Sequence, residues 1–135
     1  MSTNQKNERY IVYVEDDEDD RMLFSEAMNE AFPQVQCHTF SNGPEALSFL
    51  SAASSTGQLP HHIVLDINMP IMHGYEVAAE IRKHEALKDI PLTYFSTSPR
   101  PSYLMLGSGN TFYRQKPTEF GSYKTLMQEM LGSNL

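Results

Sequence analysis

Cysteine is almost missing from this chain: Cys37 stands alone. A single thiol closes no internal disulfide, which fits a reducing compartment, and its place in an expected strand suits a buried structural thiol better than a nucleophile. Long apolar runs are missing too. No stretch approaches the roughly 18 residues that span a bilayer, and the polar opening Met1-Ser2-Thr3-Asn4-Gln5-Lys6-Asn7 has no secretory character. A cytoplasmic protein with no membrane partner is expected. Positive charge is scarce, with 10 Lys and Arg against 17 Asp and Glu and a formal net charge of −7, which argues against a nucleic-acid surface. G-x-G-x-x-G and Walker A patterns are absent, so nucleotide binding lacks support. His38, His61, His62, His73 and His84 show no metal-ligand spacing, and surface or loop positions are expected for all five.

The chain has 135 residues, 40% of them hydrophobic, enough for one domain with a sizeable core. Residues 1–8 read as a frayed terminus, 9–131 as the domain and 132–135 as a short tail. Apolar runs at about Arg9–Val14, Val35–Phe40, Ile63–Ile67, Leu92–Phe95 and Thr111–Gln115 read as strands. Helical patterns lie between them: about Asp19–Ala31 with Leu23, Ala27 and Ala31 on one face, then Ala46–Ala53, Tyr75–Leu87 and Glu119–Leu131. The last carries Phe120, Tyr123, Met127 and Met130 as core residues. Connections too long for hairpins predict a doubly wound α/β fold, β-α repeated five times around a five-stranded parallel sheet. One segment fits badly. Two prolines and two glycines between Thr97 and Asn110 leave a turn or two of helix near Ser102–Leu106, so helix 4 is expected to be short or mobile.

Charged residues at the ends of these strands carry the chemistry. Glu15-Asp16 follows the first strand, Asp66 lies in Ile63-Val64-Leu65-Asp66-Ile67, and Lys116-Pro117 follows the fifth. Strand carboxyl ends converge on the ligand crevice of an open α/β sheet. Six acids, Glu15 to Asp20, are contiguous, and without them the chain is close to neutral. Asp17, Glu18, Asp19 and Asp20 suit the positive end of a helix dipole, worth about 0.3–1 kcal/mol each. Glu15 and Asp16 precede that helix. Two carboxylates about 4 Å apart repel by roughly 4 kcal/mol at an effective dielectric of 20, and a divalent cation such as Mg²⁺ removes that penalty. A calcium EF-hand loop counted from Asp16 would need Gly where Arg21 stands, so that reading fails. Asp66 is costly in an apolar run unless it is paired or functional. Its carboxylate can attack phosphorus to give an aspartyl-phosphate, with Lys116 supplying a compact positive charge. The Lys116–Pro117 bond can be cis, a turn that would aim the amine inward. Ser96 is the hydroxyl best placed to touch a phosphoryl oxygen.

Glu15-Asp16 after a strand, Leu65-Asp66-Ile67-Asn68-Met69-Pro70 with Gly74, Ser96 and Lys116-Pro117 closely resemble, in this order and spacing, the receiver domain of two-component response regulators. The resemblance runs from about Arg9 to Leu131 and implies the CheY-like, flavodoxin-like sheet order 2-1-3-4-5. It implies that Asp66 takes a phosphoryl group from a phosphohistidine on a sensor histidine kinase or histidine phosphotransfer protein. Mg²⁺ would be held by Asp66, by Asp16 directly, by Glu15 directly or through water, and by the backbone carbonyl of Asn68. Ser96 would be the switch hydroxyl and Tyr113 the switch aromatic, altering binding of a downstream protein target. Such a domain assists its own phosphorylation and dephosphorylation and is not an enzyme in the usual sense. With only Gly132–Leu135 after the last helix, it is expected to act alone. Departures from the family pattern are the Pro- and Gly-rich helix-4 region, His73 before Gly74 where an acid is common, Glu15 for the commoner aspartate, and Arg114-Gln115 in a wet, edge-like fifth strand. Alternatives are a degenerate receiver acting as a constitutive binding module and a haloacid-dehalogenase-like phosphatase. The latter would need D-x-D at the nucleophile, where this chain has Asn68.

Overall fold

The computed structural model describes residues 9–104, 106–107, 109–132 and 135. The expectations for residues 1–8 and 133–134 lie outside them. Five parallel strands, β1 (Tyr10–Val14), β2 (Gln36–Phe40), β3 (His62–Leu65), β4 (Leu92–Ser96) and β5 (Thr111–Gln115), form one sheet in the order β2-β1-β3-β4-β5. The flanking helices are α1 (Glu18–Ala31), α2 (Gly43–Thr56), α3 (Gly74–Lys83) and α4 (Gly121–Leu131). This is the doubly wound fold read from the strand spacing, in the expected order.

Strand alternation builds the two layers. Tyr10, Val12, Val14, Ile63, Leu65, Leu92 and Tyr94 face α2 and α3, while Ile11, Tyr13, Val64 and Phe95 face α1 and α4. β1, β3 and β4 are buried along their whole length, as parallel strands covered on both faces must be. β5 is an edge strand, with Phe112, Arg114 and Gln115 exposed, in line with its polar end.

Several boundaries differ from the sequence reading. The buried face of α1 is Phe24, Ala27 and Met28; Leu23 and Ala31 are half-buried. α3 stops at Lys83, and Leu87 reaches the core from the turns that follow. The Arg82 guanidinium explains that early stop. It donates to the carbonyls of Lys88 (2.9 Å), Ile90 (2.7 Å) and Asn110 (3.2 Å) and to the Thr111 hydroxyl (2.8 Å), gathering the α3–β4 turn and the start of β5 around one side chain. Phe120 precedes α4 and is exposed. Cys37 is half-buried.

The short helix expected near Ser102–Leu106 is absent among the described residues between β4 and β5, of which Met105 and Ser108 are not part. Pro99 and Pro101 supply no backbone donors, and the Arg100 guanidinium instead closes a turn onto the Leu104 carbonyl at 2.9 Å. Leu104 is buried, so this connection is anchored at one point rather than along a helical face.

His62 corrects the expectation that every histidine is superficial. It is fully buried at the start of β3, its Nε2 2.8 Å from the Thr93 hydroxyl on β4. A neighbouring hydroxyl lets an imidazole replace an aliphatic residue in a strand, because a buried polar group that is hydrogen-bonded carries little penalty. Burial, with the Arg82 charge adding to it, lowers its pKa from 6.5 to about 4. The unfolded chain therefore binds a proton that the folded one refuses. The stability this residue contributes is complete above pH 6.5 and is lost as pH falls towards 4, by roughly 3 kcal/mol. Urea titrations of the wild type and His62→Gln between pH 7.5 and 4.5 should show that loss in the wild type and a markedly flatter profile in the variant.

Candidate functional site

The register of the sheet brings the site together. Beyond the last strand residues, Glu15 N–H donates to the Phe40 carbonyl (2.9 Å), Asp66 N–H to the Val14 carbonyl (3.0 Å) and Lys116 N–H to the Ser96 carbonyl (2.7 Å). Parallel pairing thus continues one residue past each strand and sets the charged side chains side by side at the carboxyl edge.

There the carboxylates of Glu15, Asp16 and Asp66 offer oxygens that all lie within 4.8 Å of one another. Glu15 and Asp66 are buried and Asp16 is exposed, so the cluster is walled by protein on one side and open to water on the other. Hard oxygen donors this close suit a divalent cation such as Mg²⁺. The Lys116 ammonium, its side chain only 4% exposed, lies 2.5 Å from Glu15 Oε1, 3.0 Å from Asp20 Oδ2 and 3.9 Å from Asp66 Oδ1. No peptide bond is cis among the described residues, so Lys116 enters the cluster from a trans bond to Pro117. The continued β4–β5 pairing aims it.

Burial pushes the Glu15 carboxyl up to about 7 against the pull of Lys116. Asp66 is raised for the same reason, with Lys116 again opposing and Asp16 and Asp20 adding repulsion. Burial alone would lower the Lys116 pKa, but Glu15, Asp20 and Asp66 more than reverse that and hold the amine charged. Excess negative charge at one spot is thus met by one internal cation.

Each remaining residue has a definite place. Ser96 is buried at the end of β4, its Oγ 3.3 Å from the Ser98 amide. Tyr113 lies opposite Tyr94 in the β4–β5 register, and its buried hydroxyl sits beside the Ser96 side chain, which eases the upward pKa shift that burial imposes. Asn68 is exposed in the loop after β3. In that loop Ile71 has φ 72° and is 79% exposed, a strained conformation for a β-branched residue. Gly74 closes the loop, its amide donating to the Ile67 carbonyl at 2.9 Å.

Two participants were not read from the sequence. Asp20 was assigned to the helix dipole, and nothing in a run of acids distinguishes the one that turns inward. Tyr13 was read only as part of the first apolar strand, yet its hydroxyl donates to Glu15 Oε1 at 3.1 Å. Asp17 behaves as expected and caps α1, accepting from the Asp20 amide at 3.0 Å.

Compared with known protein families, residues 11–116 match the response regulator receiver domain. The chain belongs to that family. Among relatives of this receiver domain, the response regulator Rcp1 of Synechocystis is 31% identical over 73% of this chain and 68% of its own length. The crystal structure of the phosphorylated cyanobacterial phytochrome response regulator RcpA superposes with a TM-score of 0.75 at 27% identity, covering 93% of this chain and 95% of that one. The Mn²⁺-bound form of Rcp1 superposes at 0.72 with 24% identity, covering 91% and 94%. Receiver domains of this kind are signalling modules. They take phosphate on an aspartate from histidine kinases or phosphotransfer proteins and depend on a divalent cation in an acidic pocket. No helix among the described residues is long and apolar enough to cross a membrane.

Proposed function

We propose that Asp66 is the phosphoacceptor of this receiver and that Glu15, Asp16, Asp66 and the Asn68 carbonyl hold Mg²⁺ beside it. The observation that carries this is the convergence of three carboxylates within 4.8 Å of one another, with the Lys116 amine 3.9 Å from Asp66. An Asp66 oxygen attacks phosphorus of a partner's phosphoimidazole; the P–O bond forms, the P–N bond breaks, and the imidazole leaves with its electron pair and takes a proton from solvent. The bound cation would supply charge neutralisation at the phosphoryl oxygens. Lys116 pairs with one of those oxygens. Ser96 Oγ donates to another, and Tyr113, whose buried hydroxyl sits beside Ser96, shifts into the space that Ser96 vacates. That movement alters the face bearing β4 and β5 and with it the binding of a downstream protein.

The donor is a sensor histidine kinase or a histidine phosphotransfer protein. Mn²⁺ in the Rcp1 crystal lends support to a cation at the acidic cluster. The intact Asp66, Asp16 and Lys116 weigh against a degenerate receiver, and Asn68 weighs against the haloacid-dehalogenase chemistry. Incubation with acetyl phosphate and Mg²⁺ should give an acid-stable, alkali-labile adduct that peptide mass spectrometry maps to Asp66. An unlabelled protein, or turnover of small phosphoesters with no adduct, would remove this reading.

A further inference from the structure

Lys116 has three ammonium protons and three carboxylates around it, and the distances are unequal. Glu15 at 2.5 Å and Asp20 at 3.0 Å are hydrogen-bonded, while Asp66 at 3.9 Å is too far for a hydrogen bond. Glu15 belongs to the cation cluster; Asp20 does not. Asp20 lies in the first turn of α1, and that turn is tied to the site at several points. The Asp17 amide donates to Glu15 Oε2 (3.2 Å), the Arg21 guanidinium donates to the Glu15 carbonyl (2.8 Å), and Asp17 caps the Asp20 amide. The Asp20 carboxylate therefore comes from a rigid helical turn, and its side chain is only 31% exposed where it meets a lysine that is 4% exposed.

We propose that Asp20 is a positioning residue for Lys116, taking one ammonium proton while Glu15 takes a second, so that the third remains for an oxygen on the Asp66 side. A lysine held by Glu15 alone would swing about that contact, since four rotatable methylenes give it many alternative rotamers. Two anchors from separate elements, the end of β1 and the first turn of α1, restrict it to the geometry in which an incoming phosphoryl oxygen completes the third bond. This inference rests on Asp66 being the acceptor.

The test compares Asp20→Ala and Asp20→Asn with the wild type. Asparagine keeps an oxygen that accepts from the amine but loses the charge; alanine loses both. Asp20→Ala should take up phosphoryl from acetyl phosphate at saturating Mg²⁺ about tenfold more slowly, in the range expected for a displaced catalytic group. Asp20→Asn should recover at least half of the wild-type rate, and Mg²⁺ affinity should stay within about twofold in both, because Asp20 lies outside the cation cluster. In the metal-free proteins, the ¹H–¹⁵N ammonium signal of Lys116 should be protected from solvent exchange in the wild type and Asp20→Asn and broadened in Asp20→Ala. Uptake by Asp20→Ala that is unchanged or faster would overturn the proposal, as would Asp20→Asn being as slow as Asp20→Ala, which would make the effect one of charge alone. A wild type that forms no adduct on Asp66 would instead sink the acceptor assignment.

Discussion

Asp66→Asn is expected to cut phosphoryl uptake from acetyl phosphate below roughly one-thousandth of the wild-type rate, the scale seen when a nucleophile is removed, while the protein folds at least as stably at pH 7.5. The two halves of this result have one cause. Asp66 is a buried carboxylate whose pKa is raised, chiefly by burial. Its charge is therefore less welcome in the folded chain than in the unfolded one, and the stability it withholds grows as pH rises through its folded pKa. Asparagine is nearly isosteric, removes that charge, and leaves Lys116 with Glu15 and Asp20. Mass spectrometry after acetyl phosphate treatment gives the first half and urea denaturation the second. Residual labelling of the variant at another residue would show that the acceptor had been misassigned. A clear loss of stability would show that Lys116 depends on Asp66 more than their 3.9 Å separation allows.

Gly74→Ala should damage both the fold and the site. A Cβ at this position would lie 2.1 Å from the Asp66 carbonyl oxygen and 3.0 Å from the Ile67 Cα. The obstacle is backbone, so no side-chain rotation relieves it. Overpacking a core commonly costs about 1–3 kcal/mol, and a clash with the main chain belongs at or above the upper end of that range. The strain falls on the residue that carries the acceptor: either α3 withdraws from β3, or Asp66 is pushed away from Glu15, Asp16 and Lys116. A denaturation midpoint lowered by at least that amount, with slower phosphoryl uptake in the fraction still folded, is the expected outcome. Wild-type stability and uptake together would mean that the close approach of Gly74 to Asp66 does not constrain the site.

The site was legible in the sequence where a charge interrupts or ends an apolar run. Asp66 after Leu65 and Glu15 after Val14 each break a pattern that burial would otherwise favour, whereas Lys116 follows the polar Arg114-Gln115 and was marked by Pro117 after it; the parallel register then brings the three to one edge. Asp20 broke no pattern. Four successive acids at a helix start look alike, and only the turn of α1 decides which one faces the lysine. Tyr13 and His62 were hidden for different reasons: Tyr13 looked like one more residue of an apolar strand, and His62, one residue before the expected Ile63–Ile67 run, looked like a loop residue, yet the polar atom of each meets a partner, Glu15 for one and Thr93 on the adjacent strand for the other. The end of α3 was misplaced because Arg82 draws carbonyls distant in sequence into one cluster. Local periodicity carries no trace of such a contact.

The four oxygens gathered by the Arg82 guanidinium have an engineering consequence. They fasten the base of the edge strand to the end of α3, so the frame is closed beneath the connection that joins β4 to β5. A fluorescent module grafted at the exposed Ser102 would hang from that frame beside the Tyr103–Tyr75 ring contact that ties this turn to α3. The molecule could then be built into an optical reporter of its own signalling state, with the sheet left untouched.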